Sequence, residues 1–283
     1  FYEKYCKKLI DLGCNRDSVL IALGGGVTGD LCGFIASTLF RGIPYYQFPT
    51  SLLAMVDSSI GGKTGINLEE GKNLIGAFHH PVAVIIDPEF LKTLPKNEIY
   101  SGLGEVIKYG FIHNPEVIEI FKKIDFSNLN IQSNEIEQLI ILSAKSKAEI
   151  VTIDTSEKDL RRILNFGHTT GHIIEAFTNY SQISHGEAVV YGMMVALKIS
   201  HKFSKLPQNV MNDSILLLKK LCKTKIPNIS KTEFDKYLFR DKKVQSNQIH
   251  FILINEIGKP IIRNDINPEI IFNAYNSLLE EEL

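Results

Sequence analysis

The sequence has little of what would direct it to a membrane, an oxidising compartment or a nucleic acid. No apolar run approaches the roughly 20 residues of a bilayer span. Its four cysteines, Cys6, Cys14, Cys32 and Cys222, include no CxxC pair and form no framework, so reduced thiols and a cytoplasmic setting are expected. Lysine plus arginine (31) and aspartate plus glutamate (32) nearly cancel, leaving a net charge of −1. A chain without a basic field does not hold phosphodiester backbones non-specifically. Repeats and low-complexity tracts are absent, which argues against a solenoid. What is present is ordinary for a globular protein, with 44% hydrophobic and 22% charged residues. At 283 residues the chain exceeds a comfortable single core, so two domains are expected. It starts at Phe1 without Met, in what reads as the middle of a helix, and a preceding portion is expected.

The first third reads as α/β. Phe1 to Gly13 is a helix with Tyr5, Leu9 and Leu12 along one face and Gly13 as its stop. Ser18 to Leu23 is a short continuous apolar run of the buried parallel-strand type. Gly24, Gly26 and Gly29 follow it and open an apolar helix that runs through Phe40. Strand, glycine turn and helix is the setting in which G-x-G-x-x-G cradles a diphosphate, because backbone N–H groups and the helix N-terminus face the anion. The next strand, Ile43 to Phe48, lacks the terminal acid that usually holds an adenosine ribose, so a standard Rossmann dehydrogenase is not expected. Pro49 to Asn67 surrounds Asp57 and Lys63 with small residues, and Lys72 and Asn73 follow Gly71. These read as two basic, anion-binding loops. Val82 to Ile86 is a last buried strand, and Asp87-Pro88 is taken as the domain boundary, giving domains 1–88 and 89–283.

Beyond it the chain is mostly helical. Pro95 to Phe111 carries Glu105 and Lys108 on one face, either as a plain i,i+3 ion pair or, given the apolar neighbours, as a buried one. Asn134 to Ile153 is a long helix carrying Lys147. Gln248 to Asn255 and Pro260 to Arg263 form a hairpin around Ile257-Gly258. The most informative stretch is Leu160 to Val190, with three of the eight histidines. His168 and His172, four apart, share a helix face, and spacing alone lets both bind metal. His185 opens the next apolar run, with Glu187 two residues on. One carboxylate, Glu105, with two imidazoles, His168 and His185, is the ligand set of an open catalytic zinc site. The surrounding Lys63, Lys72, Asn73, Lys108, Lys147, Arg161 and Asn165 suit a polyhydroxylated, anionic, phosphorylated substrate.

The strings GGGVTGD, FRGIPYYQFPTSLLAMVDSSIGGKTGIN, GKNLIGAFHHP, GEVIKYG, LNFGHTTGH and HGEAV, in this order, closely resemble 3-dehydroquinate synthase. The resemblance runs from about Ser18 past the Asp241-Lys242-Lys243 region. It implies a Rossmann-like parallel α/β domain, incomplete at its N-terminus, followed by a mainly α-helical metal-binding domain. It also implies the conversion of 3-deoxy-D-arabino-heptulosonate 7-phosphate to 3-dehydroquinate and phosphate, in the shikimate pathway of aromatic amino-acid biosynthesis. The route would be a redox-neutral oxidation, β-elimination, reduction and intramolecular aldol closure, classed as a carbon–oxygen lyase. Zn2+ or Co2+ would be held by Glu105, His168 and His185. NAD+ would be held by Gly26, Val27, Thr28, Gly29, Asp30, Thr50, Ser51, Asp57, Lys63, Lys72, Phe90, Leu91, Lys92 and Thr93. Substrate would meet Arg41, Lys63, Asn73, Lys108, Lys147, Arg161, Asn165, His172 and Lys243, with Lys242 the alternative to Lys243. Lys147, His172, Asn165, Arg161, Lys108 and Asp57 would be the catalytic set. Arg41 would reach across a homodimer interface. The resemblance thus assigns His172 to substrate phosphate and proton relay rather than to metal. Gly104, where many members have Ala, is a small departure. The alternatives are another sugar-phosphate cyclase, a zinc-dependent polyol dehydrogenase, or a non-catalytic binding module on the same fold.

Overall fold

The computed structural model describes residues 1–68, 71–239, 244–245 and 248–282. In chain order, the first elements are α1 (Tyr2–Asp11), β1 (Leu20–Gly24), α2 (Gly26–Thr38), β2 (Tyr45–Pro49), β3 (Lys63–Leu68), β4 (Gly71–Phe78) and β5 (Ala83–Val84). Then come α3 (Lys96–Ile112), α4 (Glu116–Lys123), α5 (Asn134–Ile153), α6 (His168–Phe177), α7 (His185–Phe203), α8 (Gln208–Lys219) and α9 (Lys231–Leu238). The chain closes with β6 (Val244–Gln245), β7 (Gln248–Ile249), β8 (Phe251–Glu256), β9 (Lys259–Arg263) and α10 (Pro268–Glu282).

These elements form two compact units that no single cut of the chain separates. The first is residues 1–102 with 131–156, and the second is 103–130 with 157–283. Sequence placed the division at Pro88. The structure draws it inside α3, and returns α5 to the first unit because that helix packs on the π-helical turn Ala54–Ser58.

In the first unit, β1, β2 and β5 make a parallel sheet in that order, with Leu20 opposite Tyr45 and Tyr46 opposite Ala83. Parallel neighbours need a crossover, and α2 supplies it. Its core is Ala22, Ile35, Ala36, Leu39, Ile43 and Tyr45. The β1 run is not buried on both faces as expected. Side chains alternate across a strand, so Ala22 points into the core while Ile21 and Leu23 are 64% and 58% exposed. Helix α1 likewise packs through Tyr2, Cys6 and Leu9 rather than through Tyr5 and Leu12, which are exposed. Tyr2 selects that face by its hydrogen bond to Thr38 and its ring contact with Phe34. The two expected basic loops are instead the arms of an antiparallel hairpin, β3 with β4, in which Lys63 pairs with Phe78. Pairing of the two arms satisfies backbone hydrogen bonds that loops would leave to water. The side chains of Lys72 and Asn73 lie outside the described residues, as do Lys242 and Lys243.

In the second unit, α7 is the central helix. Nearly every residue from Gly186 to Ser200 is buried, which a helix apolar all round requires. Helices α6, α8 and α10 and strand β8 pack on it. The β8–β9 hairpin forms where sequence placed it. Its turn glycine, Gly258, has φ 81° and donates its N–H to the Phe111 carbonyl. Among the described residues no helix is long and apolar enough to cross a membrane.

Candidate active site

The second unit assembles a metal-binding geometry from three helices. Gly167 takes φ 81°, reverses the chain after the 3-10 turn Leu160–Asn165, and starts α6 at His168. A Cβ there would lie 2.6 Å from the Met193 side chain, so both the backbone angle and the packing demand glycine. Ser184 caps α7 through the Glu187 N–H and starts that helix at His185. The two histidines therefore open two helices that pack side by side.

Glu105, fully buried on α3, faces them. Its Oε1 is 3.3 Å from His168 Nε2 and 3.4 Å from His185 Nε2, yet has no hydrogen-bond partner of acceptable geometry. Its Oε2 pairs with the buried Lys108 ammonium. One ligand atom from each of Glu105, His168 and His185 lies within 4.8 Å of the others. A buried carboxylate oxygen without a hydrogen bond, aimed between two imidazole nitrogens, fits a divalent cation, and this donor set is that of a zinc centre with open coordination positions. The four-residue spacing of His168 and His172 does not give two ligands. The His172 ring stands edge-on to His168 at 5.6 Å and lies outside the three-residue group.

The electrostatics agree with this geometry. Burial raises the pKa of Glu105, but Lys108, His168 and His185 together outweigh it, and the carboxyl sits well below its usual range. Burial lowers His185, but Glu105 and Glu175 raise it further, up to about 10. Two carboxylates hold a proton on that imidazole; a bound cation would supply the same positive charge and displace it.

Other residues of this unit fall into place around α6. Arg161 is buried in the 3-10 turn, and Asn165 donates its amide to Glu157 Oε1 at 3.2 Å. Glu157 itself has φ 56°, a left-handed backbone on a non-glycine residue. Sequence reasoning missed Glu157, since no periodicity marks a residue in an irregular loop. It also missed Glu175, whose signal was available: it lies seven residues after His168, on the same helical face. Glu187, noted beside His185, does not enter the centre. It accepts the backbone N–H groups of Lys223 and Thr224, each at 2.6 Å, and pins that loop to α7.

The first unit gathers the remaining residues. Gly25 caps α2 without a side chain, so backbone N–H groups at that helix start remain available to an anion. A Cβ on Gly26 would come 2.9 Å from Ser58 Oγ, a buried hydroxyl with no hydrogen bond. That cradle of bare backbone and an unsatisfied hydroxyl fits a nucleotide diphosphate. Thr50 donates its N–H to the Gly24 carbonyl, and a Cβ on Gly25 would lie 3.4 Å from Ser51 Oγ, so both residues flank the glycine turn. Asp57 lies on the π-helical turn Ala54–Ser58, a rare backbone form frequent at functional sites. Its carbonyl and carboxylate both accept from Lys147 Nζ, at 2.5 and 2.8 Å. Burial raises Asp30 to about 7, with Lys147 lowering it and Asp57 raising it. Phe90, Leu91, Lys92 and Thr93 lie on the 3-10 helix Pro88–Thr93, and Val27 is exposed at the start of α2. The structure thus brings Asp30, Asp57 and Lys147 together in one unit, and Glu105, Lys108, His168 and His185 together in the other.

Known proteins give this geometry a family. Residues 1–101 match the 3-dehydroquinate synthase N-terminal family and residues 102–244 the 3-dehydroquinate synthase C-terminal family. A 3-dehydroquinate synthase from Prochlorococcus marinus (strain AS9601) is 44% identical over 271 residues, 94% of this chain and 74% of that protein. Among solved structures, the fold matches ValA, a 2-epi-5-epi-valiolone synthase from Streptomyces hygroscopicus with NAD+ and Zn2+ bound (TM-score 0.90, 26% identity, 99% of this chain and 79% of that one). It also matches 2-deoxy-scyllo-inosose synthase complexed with carbaglucose-6-phosphate, NAD+ and Co2+ (TM-score 0.85, 28% identity, 98% and 78%). Parallel α/β unit, helical unit, three-residue cation geometry and matches spanning residues 1–244 lead to one conclusion: the chain belongs to the 3-dehydroquinate synthase family.

Proposed function

We propose that this protein converts 3-deoxy-D-arabino-heptulosonate 7-phosphate to 3-dehydroquinate and phosphate, with NAD+ and a divalent cation, Zn2+ or Co2+. The observation that carries the reading is the Glu105 oxygen aimed between His168 and His185, within a chain that matches this family over residues 1–244.

A cation held by Glu105, His168 and His185 supplies Lewis-acid stabilisation of substrate oxygens. NAD+ at the glycine turn supplies a hydride acceptor that is regenerated within the turnover. The chain's own part is charge and position. The Lys108 ammonium keeps Glu105 ionised and therefore ready to ligate. Lys147, buried and anchored on Asp57, presents a cation that recognises an anionic substrate group without paying the entropy of ordering a free side chain. Arg161 and Asn165 contribute donors for carboxylate and hydroxyl groups, and His172 takes the phosphate and relays a proton. Lys63, Asn73 and one lysine of the 242–243 pair complete the substrate contacts. Arg41 would serve a second copy of the chain. It is exposed, with φ 68°, directly after Phe40 at φ 53°, and this local twist turns the chain at the end of α2.

A second sugar-phosphate cyclase activity is the reading the fold neighbours favour, and the same assay separates the two. The full chain is given the heptulosonate phosphate, zinc and catalytic NAD+, and phosphate and NADH absorbance are followed together. Phosphate release without net NADH is expected. Steady NADH accumulation, or turnover only of a different sugar phosphate, would overturn the assignment.

A further inference from the structure

We propose that Glu175 is a positioning residue for the metal centre, fixing His185 in the tautomer that leaves Nε2 to ligate. The inference rests on reading Glu105, His168 and His185 as a metal site, and adds a residue that this reading does not contain.

Glu175 is 4% exposed, two turns along α6 from His168, and its Oε2 lies 3.2 Å from His185 Nδ1. A neutral imidazole carries one N–H. With that hydrogen donated from Nδ1 to Glu175, the lone pair of Nε2 faces the Glu105 oxygen, where a cation would sit. His168 has its own arrangement of this kind: its Nδ1 is 3.2 Å from the Phe166 carbonyl, and its Nε2 also faces Glu105. The two ligands therefore share one orientation by different means, a backbone carbonyl for one and a buried carboxylate for the other. A carboxylate partner both orients the ring and raises its basicity as a ligand.

Close helix packing holds Glu175 in place. A Cβ on Gly171 would come 3.2 Å from the Ala188 carbonyl, and one on Gly192 would overlap the Gly167 carbonyl at 1.8 Å. Helices α6 and α7 meet backbone to backbone, which leaves neither helix room to slide and carry Glu175 away from His185. Glutamine at 175 keeps this shape but can donate its amide N–H to Nδ1, which permits the opposite tautomer with hydrogen on Nε2.

The test is zinc affinity of the full chain by chelator competition, comparing wild type with Glu175→Gln and Glu175→Asp. Glu175→Gln should bind zinc about 10- to 100-fold more weakly with an unchanged circular dichroism spectrum, and Glu175→Asp should recover part of the loss. Long-range 1H–15N correlation on the zinc-loaded wild type should show His185 ligated through Nε2 with hydrogen on Nδ1. Wild-type affinity in Glu175→Gln, or ligation of His185 through Nδ1, overturns the proposal. The spectrum decides even if the glutamine variant fails to fold. Wild type that binds no zinc would overturn the metal-site reading itself, which is a different result from equal binding by both proteins.

Discussion

Replacing Lys108 with methionine tests the charge balance at the centre of the helical unit. Both members of the Lys108–Glu105 pair are at most 2% exposed, and Glu105 Oε1 has no hydrogen bond to replace the lost ammonium. Methionine fills similar space but leaves the carboxylate uncompensated except for the two imidazoles. Removing one partner of a buried ion pair costs about 3–5 kcal/mol. For a chain of this size each kcal/mol lowers the melting temperature by roughly 2–4 °C, so a drop of about 6–20 °C is expected in metal-free protein. Zinc supplies the missing positive charge, so saturating zinc should stabilise Lys108→Met more than it stabilises wild type, and the gap between the two should narrow. Differential scanning calorimetry of both proteins, with chelator and then with excess zinc, reads both quantities. Stability rather than turnover is measured because Lys108 is also a proposed substrate contact. A metal-free drop below about 1 kcal/mol, far under the cost of breaking a buried pair, or a drop that zinc leaves unchanged, would refute the reasoning. The first result would mean that Lys108 does not hold Glu105 ionised, the second that Glu105 does not face the cation.

Two further predictions concern single positions. Asp30 has its pKa raised to about 7 from an ordinary 3.8, chiefly by burial. Its neutral form therefore contributes stability that is fully present below about pH 4 and lost as pH rises through 7. In cofactor-free protein, Asp30→Asn should match wild type at low pH and become progressively more stable than it between pH 4 and 7, levelling above; a pH-independent difference in melting temperature would contradict this. Gly104 lies against Gly186, and a Cβ there would come 2.4 Å from that residue's carbonyl oxygen. Gly104→Ala should cost about 1–3 kcal/mol in urea denaturation, the range for overpacking, and a neutral substitution would show that α3 and α7 have room to separate. The departure from Ala is then a matching of two helix surfaces rather than a silent change.

Much was legible in the sequence because it was local. Helix α5 has its bounds at Asn134 and Ile153 in both readings, since Ser133 offers a cap and the 3.6-residue period is unbroken. The glycine turn after β1 and the hairpin around Gly258 were also readable, because a positive φ or a close backbone approach leaves few residue choices. The basic hairpin was misread for the opposite reason. Gly, Lys and Asn are weak strand formers, and only pairing between β3 and β4 makes that stretch extended.

The chain by itself determined which chemistry was available: a carboxylate, histidines at helical spacing, a glycine turn between strand and helix, and a family resemblance carried by ordered motifs. Tertiary structure decided which of these groups meet. It put Glu105, 63 residues before His168, at 3.3 Å from it and left His172 outside the group, although His172 is only four residues away. It brought Lys147 to Asp57 across 90 residues, and it turned Glu187 away from the centre to a loop while setting Glu175 against His185. Periodicity reports which face of one helix a side chain occupies. Only the packing of α3, α6 and α7, set by glycines at their contacts, determines which faces look at one another.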